Sequence, residues 1–168
     1  MGLDGQYASW VGTLARPEDR LLMIAEPARI EEAVMRLARV GYENVAGTLD
    51  GGIERWKAEG LPVASVPQEP AARALRPGRR VLDVRRPGEW EAFHYKNATL
   101  IPLAQLVARA GELDRDADWV IVCASGYRSN MAASVLERAG FTRLTNAAGG
   151  MDAYRRMGLP VEAGAGAS

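Results

Sequence analysis

The chain has 168 residues, which is enough for one ordinary domain or two small ones but not for a large multidomain enzyme. Its 21 lysines and arginines balance its 21 aspartates and glutamates. This balance argues against nucleic acid as the main partner, because phosphate binding normally leaves a basic excess. The single cysteine, Cys123, and the single histidine, His94, exclude an intrachain disulfide and a zinc site built from Cys and His ligands.

Hydropathy gives a first indication of where the protein works. No apolar run approaches the roughly 18 residues of a membrane span. The opening Met-Gly-Leu-Asp-Gly-Gln has neither the basic nor the apolar region of a signal peptide. A lone thiol suits a reducing compartment. We therefore expect a cytoplasmic protein with no membrane partner.

Residues 1–64 are the first predicted module. Its apolar runs and helical periodicity predict a helix, a strand, a helix, a strand and a final short helix, at residues 7–14, 21–24, 30–40, 44–46 and after the Gly51-Gly52 turn. The strand runs lack alternation, which is typical of buried parallel strands. Strands that alternate with helices predict a parallel sheet with helices on its faces.

Residues 65–75 are predicted to be a linker and entry segment, because Ser-Val-Pro-Gln-Glu-Pro at residues 65–70 is polar and proline-rich. Residues 76–161 are the second, complete module, and residues 162–168 are predicted to be a flexible tail. The predicted strands of this module lie at residues 81–84, 99–102, 120–122 and 143–146. Helices are predicted at residues 87–91, at residues 103–110 and from the loop after Cys123 to Gly140.

Residues 20–63 and 119–161 resemble each other. A shift of 99 positions superposes five identical residues: Ala25 on Ala124, Arg29 on Arg128, Ala33 on Ala132, Leu37 on Leu136 and Gly41 on Gly140. After a one-residue slip, the Gly51-Gly52 turn meets Gly149-Gly150, and two Gly-Leu-Pro-Val segments coincide. We interpret the pattern as a duplication whose first copy lacks its front half.

The first copy carries no cysteine. This alignment places Ile24 opposite Cys123, Glu26 opposite Ser125 and Pro27 opposite Gly126. Isoleucine cannot carry a transferable group, and proline removes a backbone N–H. The first copy is therefore predicted to be inactive, with a structural or partner-binding role.

Cys123 stands where an apolar strand ends, before the run Ala-Ser-Gly-Tyr-Arg-Ser and a helix. A loop between the carboxyl end of a parallel strand and a helix N-terminus points backbone N–H groups inward and forms an anion cradle. Gly126 permits the tight turn, Arg128 adds a positive charge, and Ser129 is a candidate helix cap. A thiol in this field ionises readily. Cys123 is therefore predicted to be reactive rather than a small buried hydrophobe.

The run Cys123-Ala-Ser-Gly-Tyr-Arg128-Ser resembles the active-site loop of the rhodanese (sulfurtransferase) family. Leu-Asp-Val-Arg at residues 82–85, with residues 89–94 and 98–103, resembles that family's first signature, and Gly149-Gly150 with Gly-Leu-Pro-Val resembles its closing segment. The three motifs occur in the family's order and cover about residues 65–161. The resemblance implies an α/β fold with a five-stranded parallel sheet flanked by helices, preceded here by a truncated copy of the same fold.

The resemblance also implies a reaction. Cys123 would take the outer sulfur of thiosulfate or of a persulfide donor, become a persulfide, and pass the sulfur to a thiol or to cyanide. The substrate-binding residues that it implies are Ala124, Ser125, Gly126, Tyr127, Arg128, Ser129 and, less directly, Arg85. Asp83 and His94 are expected to be structural. No metal or organic cofactor is implied, since the covalent persulfide on Cys123 is the intermediate.

Departures from the family pattern leave alternatives open. Where the family often reads Gly-His-Ile-x-Gly-Ala, residues 93–98 read Phe-His-Tyr-Lys-Asn-Ala, so Phe93 and Tyr95 are candidates for lining the mouth of the pocket. A cysteine phosphatase is disfavoured because such loops run Cys-x5-Arg, whereas four residues separate Cys123 from Arg128. A non-catalytic module that senses persulfides or docks a partner is the remaining alternative.

The short first module is similar to the inactive rhodanese module of fusion proteins in which a metallo-β-lactamase-fold domain precedes tandem rhodanese modules. We therefore expect the chain to be the C-terminal part of such a fusion. A half-module would expose a strand edge and an apolar face. This predicts a homodimer or a large interface between the modules.

Overall fold

The computed structural model describes residues 2–3 and 6–164. The chain divides into two compact units, Met1–Ala64 and Ser65–Ser168. In the described part of the chain, no helix combines the length and the apolar character that crossing a membrane requires.

The first unit is a two-stranded parallel sheet with three helices. Its elements are α1 (Tyr7–Leu14), β1 (Leu21–Met23), α2 (Ile30–Ala38), β2 (Val45–Thr48) and α3 (Gly52–Ala58), with a 3-10 turn at Pro27–Arg29 before α2. Apolar side chains of α1, β1 and α2 form its core together with the ring of Tyr42. Leu22, between the two inward-facing positions of β1, is 79% exposed. Its exposure follows from strand alternation, because successive side chains point to opposite faces.

The second unit is an α/β fold with a five-stranded sheet whose paired strands are all parallel, so the predicted fold class is confirmed. Its strands are β3 (Gln68–Pro70), β4 (Arg80–Asp83), β5 (Thr99–Leu100), β6 (Trp119–Val122) and β7 (Leu144–Ala148). Its helices are α4 (Ala71–Ala74), α5 (Pro87–Ala92), α6 (Leu103–Arg109), α7 (Tyr127–Arg138) and α8 (Gly150–Arg156). The strand order is β3-β7-β6-β4-β5.

Burial explains the apolar run of β6. All four of its residues are buried, because the strand lies between β4 and β7 in the middle of the sheet. Val120 and Val122 face a core cluster that includes residues of α4 and α8. Ile121, between them, points to the opposite face by strand alternation. A strand covered on both faces is apolar throughout, and its carboxyl end leads directly to Cys123.

The fifth strand lies in the segment that we predicted to be a linker. Gln68–Pro70 pairs with β7, and the N–H of Asn146 donates to the carbonyl oxygen of Pro67. The prediction failed because an edge strand is half solvated, so its residues need not be apolar, and proline is tolerated there. Residues 65–75 therefore contain β3 and α4 rather than a linker alone.

The predicted tail also begins with ordered contacts. Glu162 forms an antiparallel bridge with His94, and the N–H of Gly164 donates to the carbonyl oxygen of Glu91. Backbone pairing, rather than side-chain burial, holds these residues, which is why their composition indicated a flexible end. Residues 165–168 lie outside the described part of the chain.

Equivalent backbone hydrogen bonds occur in the two units. Leu21 N–H donates to the carbonyl oxygen of Asn44, as Trp119 N–H donates to that of Arg143. Tyr42 N–H donates to the carbonyl oxygen of Leu37, as Phe141 N–H donates to that of Leu136. The register of β1 and β2 shifts between Leu21 and Leu22, which accounts for the one-residue slip between the two sequences.

This pairing corrects one detail of the sequence alignment. Because Leu21 takes the place of Trp119 in the strand, Ala25 takes the place of Cys123, and Ile24 takes that of Val122. Seven residues then separate Ala25 from Ala33, whereas eight separate Cys123 from Ala132. The connection between strand and helix is thus one residue shorter in the first unit.

Candidate active site

Cys123 lies directly after β6, at the carboxyl end of the central strand, and is 1% exposed. The neighbouring strand reaches the same end, since the N–H of Val84 donates to the carbonyl oxygen of Val122. The chain then turns through Ala124, Ser125 and Gly126 into α7. In open parallel sheets this edge is where ligands bind.

Two polar groups converge on the thiol. The N–H of Gly126 donates to Cys123 Sγ at 3.1 Å, and Ser129 Oγ lies 3.3 Å from the same sulfur. Gly126 has φ +102°, a backbone conformation that side-chain-bearing residues rarely adopt. Both contacts can donate to a sulfur anion. The 12-residue helix α7 also directs its positive dipole end toward the sulfur.

The position of Ser129 differs from its predicted capping role. The helix begins at Tyr127 with Gly126 as its N-cap, so Ser129 lies within the first turn. Its hydroxyl is fully buried and contacts Cys123 instead of closing the helix end. The Ser129 hydroxyl thus contacts the Cys123 thiol instead of capping the helix.

The rest of the loop lies at different depths. Ser125 is exposed at the tip, whereas Ala124 and Tyr127 are half-buried. Gly126 is buried against the backbone of residues 147–149. Of the predicted loop residues, Gly126 and Ser129 contact the sulfur, and Ser125 faces solvent.

Helix α8 donates two hydrogen bonds to the backbone of the Cys123 loop. The N–H of Met151 donates to the carbonyl oxygen of Cys123 at 2.8 Å, and that of Asp152 donates to the carbonyl oxygen of Ala124 at 3.0 Å. A Cβ atom at Gly150 would lie 2.3 Å from both of these carbonyl oxygens. The Gly-Gly signal was visible in the sequence, but its function was not: glycine lets the start of α8 approach the loop backbone.

Arg128 does not point an unpaired charge at the sulfur. Its two terminal nitrogens donate to the two carboxylate oxygens of Glu89, each at 2.6 Å, and its side chain is 14% exposed. The Glu89 carboxylate also accepts from the backbone N–H of Arg86 at the start of α5. The hydrogen bond from Arg128 lowers the pKa of Glu89, and the same bond raises the pKa of Arg128. Sequence reasoning missed this use of Glu89, because 39 residues separate the partners.

Arg85 differs from its predicted substrate-binding role. Its side chain is 1% exposed, and its guanidinium donates to both carboxylate oxygens of Asp83 at 2.7–3.0 Å. A further bond reaches the carbonyl oxygen of Phe93. A buried carboxylate needs a paired cation, and Arg85 supplies it. These contacts make Arg85 part of the framework at this end of the sheet.

The contacts of His94 are likewise with the framework. Its Nδ1–H donates to the carbonyl oxygen of Trp90 at 3.0 Å, and its ring stacks on the indole at 3.7 Å. The guanidinium groups of Arg85 and Arg155 lie over the ring of Phe93, 5.0 and 4.5 Å from its centre. The described residues contain no group of three or more side chains able to hold a metal ion.

This arrangement suits covalent chemistry on sulfur. A single thiol sits in a turn whose N–H, hydroxyl and helix dipole stabilise negative charge on the sulfur. The site thus combines a buried thiol with groups that can stabilise negative charge on it.

Comparisons with known proteins agree with this geometry. The family model described as "Rhodanese-like domain" matches residues 67–157. A sulfurtransferase of Allochromatium vinosum is 36% identical over 83 residues, covering 49% of this chain and 78% of that protein. A Bacillus subtilis protein named as a sulfur carrier is 39% identical over 71 residues, covering 42% of this chain but 38% of its own length.

A solved structure shares the fold of the second unit. The crystal structure of a rhodanese-related protein from Thermoplasma volcanium superposes with a TM-score of 0.53 at 30% identity. The match covers 57% of this chain and 97% of that one. The match therefore spans nearly all of the Thermoplasma protein and little more than half of this chain.

Proposed function

The chain belongs to the rhodanese-like domain family, and on that premise we propose that it is a sulfurtransferase that carries sulfur as a persulfide on Cys123. The observation that carries the proposal is the convergence of the Gly126 N–H and the Ser129 hydroxyl on Cys123 Sγ, at 3.1 and 3.3 Å. The names of the relatives support sulfur transfer in general. The donor, the acceptor and the persulfide on Cys123 are parts of the proposal.

In the first step the Cys123 thiolate attacks the outer sulfur of a donor. With thiosulfate, the S–S bond of the donor breaks, sulfite leaves with the electron pair, and a persulfide anion remains on Cys123. With an organic persulfide, a thiolate leaves instead. Gly126 N–H and Ser129 Oγ hold the attacking sulfur, and the N–H groups of residues 124–128 face the incoming one. The step needs no oxidant, since the transferred sulfur is already at the sulfane oxidation level.

In the second step an acceptor attacks the terminal sulfur. Cyanide gives thiocyanate, and a thiol gives an organic persulfide, while the electron pair of the breaking S–S bond returns to Cys123. The N–H cradle stabilises the departing thiolate as it stabilised the attacking one. No cofactor enters either step.

Intact-protein mass tests this proposal. We expect the parent to gain one sulfur atom after incubation with thiosulfate or glutathione persulfide, and we expect cyanide to remove it as thiocyanate. Cys123→Ser is the control and should gain nothing. A parent that gains no sulfur while its thiol remains open to alkylation would contradict the proposal and favour a non-catalytic docking module. Turnover of p-nitrophenyl phosphate would favour a phosphatase.

For the first unit we propose descent from a copy of the second. The supports are the equivalent backbone hydrogen bonds and the Gly-Gly turns. The unit keeps the strand–helix frame without the thiol, so its role is structural or partner-binding. An upstream metallo-β-lactamase-fold domain, a homodimer and a cytoplasmic location stay predictions.

A further inference from the structure

The ion pair between Glu89 and Arg128 lies at the loop that carries the nucleophile. We propose that Glu89 sets the charge of the sulfur donor: by neutralising Arg128 it makes Cys123 favour donors of low charge, such as the terminal sulfur of an organic persulfide, over the thiosulfate dianion. The proposal rests on the proposed function and narrows its substrate class. Glu89 is thus a specificity-determining residue that acts through Arg128.

The geometry pairs the positive charge of Arg128 with a carboxylate before any donor arrives. Both terminal guanidinium nitrogens already donate to the Glu89 carboxylate, with one oxygen for each nitrogen. Such a bidentate pair is both strong and directional. The carboxylate is anchored in turn by the backbone N–H of Arg86. An incoming dianion would have to compete with a carboxylate that is already in place.

The neighbouring cation is also paired. Arg85 is bound to Asp83 inside the fold. Both ion pairs at this end of the sheet therefore add no net charge, and the thiolate contributes one negative charge of its own. Backbone dipoles offset that single charge, but they do not provide the second countercharge that a dianion needs. A monoanionic or neutral donor meets less repulsion at this site.

The favoured step is balanced without a further reactant. The Cys123 thiolate attacks the outer sulfur of an organic persulfide, the donor S–S bond breaks, and the organic thiolate leaves with the electron pair. The proton of the donor stays on the new persulfide or passes to solvent. One negative charge enters the step, and one leaves it.

Alkylation of Cys123 tests the charge preference without depending on sulfur transfer. Because the chain has one cysteine, the rates with iodoacetate, an anion, and iodoacetamide, a neutral analogue, both report this thiol. The measured quantity is the ratio of the anionic rate to the neutral one, in the full chain. The urea-unfolded parent gives the ratio of an unbiased thiol.

Variants at the two partners should move this ratio in opposite directions. We expect Glu89→Gln to raise it about threefold to tenfold, because the change removes the negative charge that offsets Arg128 in the Cys123 loop. Arg128→Met should lower it, since Glu89 is then unopposed. Glu112→Gln is the matched control: Glu112 forms a similar bidentate pair with Arg109 on the surface, and its loss should leave the ratio unchanged.

Sulfur loading completes the test. In Glu89→Gln the KM for thiosulfate should fall more than the KM for an alkyl persulfide without other charged groups, such as the persulfide of 2-mercaptoethanol. A purely structural pair would make both variants shift the ratio in the same direction, or toward the unfolded value, and either result overturns the proposal. So does a thiol that neither reagent alkylates. A ratio that responds as expected in a protein that never gains sulfur would support the charge preference while refuting the sulfurtransferase.

Discussion

The two connections between strand and helix, one in each unit, share a frame and differ in chemistry. In the second unit, Cys123 is followed by a turn with Gly126 at positive φ and then by α7. In the first unit, Ala25 is followed by Pro27, a 3-10 turn and α2. The first connection is shorter by one residue, and its proline has no N–H to donate. The comparison teaches that one strand–helix frame carries a thiol in the second unit and none in the first, and that the thiol comes with a longer loop and a glycine at positive φ.

The Gly-Gly turns of the two units, at residues 51–52 and 149–150, also differ in how closely other backbone approaches them. A Cβ at Gly150 would collide with the backbone of the Cys123 loop, whereas a Cβ at Gly52 meets nothing within 4 Å among the described residues. Arg29 and Arg128 also occupy corresponding positions. Arg29, in the 3-10 turn, pairs with Glu32 in the first turn of α2, and Arg128 pairs with Glu89 from α5. In the second unit, Gly150 and Arg128 thus connect the turn and the loop to distant elements of the fold.

The largest effect is expected at the buried ion pair of the second unit. Arg85→Met leaves the Asp83 carboxylate buried without its countercharge and should lower the free energy of unfolding by about 3–5 kcal/mol. Arg55→Met is the control in the first unit, where Arg55 forms exposed pairs with Asp50 and Glu59. Its cost should stay below about 1 kcal/mol.

Urea unfolding followed by tryptophan fluorescence measures both variants, since each unit contains two tryptophans. Equal losses in Arg85→Met and Arg55→Met would remove the contrast between a buried and an exposed pair.

A smaller effect on stability, with a larger one on activity, is expected at the glycine turns. Gly150→Ala should cost about 2–4 kcal/mol, because alanine is strained at positive φ and its methyl displaces the loop carbonyls. Sulfur uptake by Cys123, followed by intact mass, should slow at least tenfold as the loop shifts. Gly52→Ala should cost about 1–2 kcal/mol from strain alone and leave the uptake rate unchanged. Normal uptake in Gly150→Ala would show that the loop does not depend on this turn.

The smallest effect is the pH dependence of the Glu89–Arg128 pair. The pKa of Glu89 is lowered in the folded protein by its hydrogen bond from Arg128. Its stabilisation is therefore complete above the ordinary carboxyl value of 4.5 and is lost as pH falls through the lowered folded value. Because Glu89 is 34% exposed, solvent keeps the effect below about 1 kcal/mol.

Thermal unfolding from pH 3 to 7 measures this pair. The difference in Tm between the parent and Glu89→Gln should be constant from pH 6 to 7 and should shrink below pH 4.5. Glu32→Gln, which removes the corresponding partner of Arg29, is the control and should show a smaller change. A difference in Tm that grows as pH falls would contradict the lowered pKa of Glu89.

Sequence predicted most of the frame and the position of Cys123 at the end of a buried strand. The apolar run of β6 and the following Gly126 were sufficient, because a buried central strand and a tight turn have local signatures. β3 was missed because an edge strand needs no apolar run. The alignment of Ile24 with Cys123 was off by one, since hydrogen-bond register rather than identity determines which residue ends a strand.

The partners of Arg128 and Arg85 mark a second limit. Both arginines were predicted to face the substrate, because they lie near the carboxyl ends of strands. Glu89 is far from Arg128 in sequence, and its role depends on how α5 packs near the loop. A structural role for Asp83 was predicted, but the choice of Arg85, two residues away, as its partner depends on burial that no short motif reports. Long-range packing thus decides which charges remain available.

The strand order also bears on how the chain is made. β3 leaves the ribosome first among the strands of its sheet, but its partner is β7, the last, with Gln68 paired to Asn146. During synthesis β3 must wait unpaired until some seventy further residues have emerged, a period in which a bare strand can recruit another chain. Glutamine, glutamate and proline are poor templates for such pairing. The polar composition that concealed this strand protects the nascent chain from aggregation.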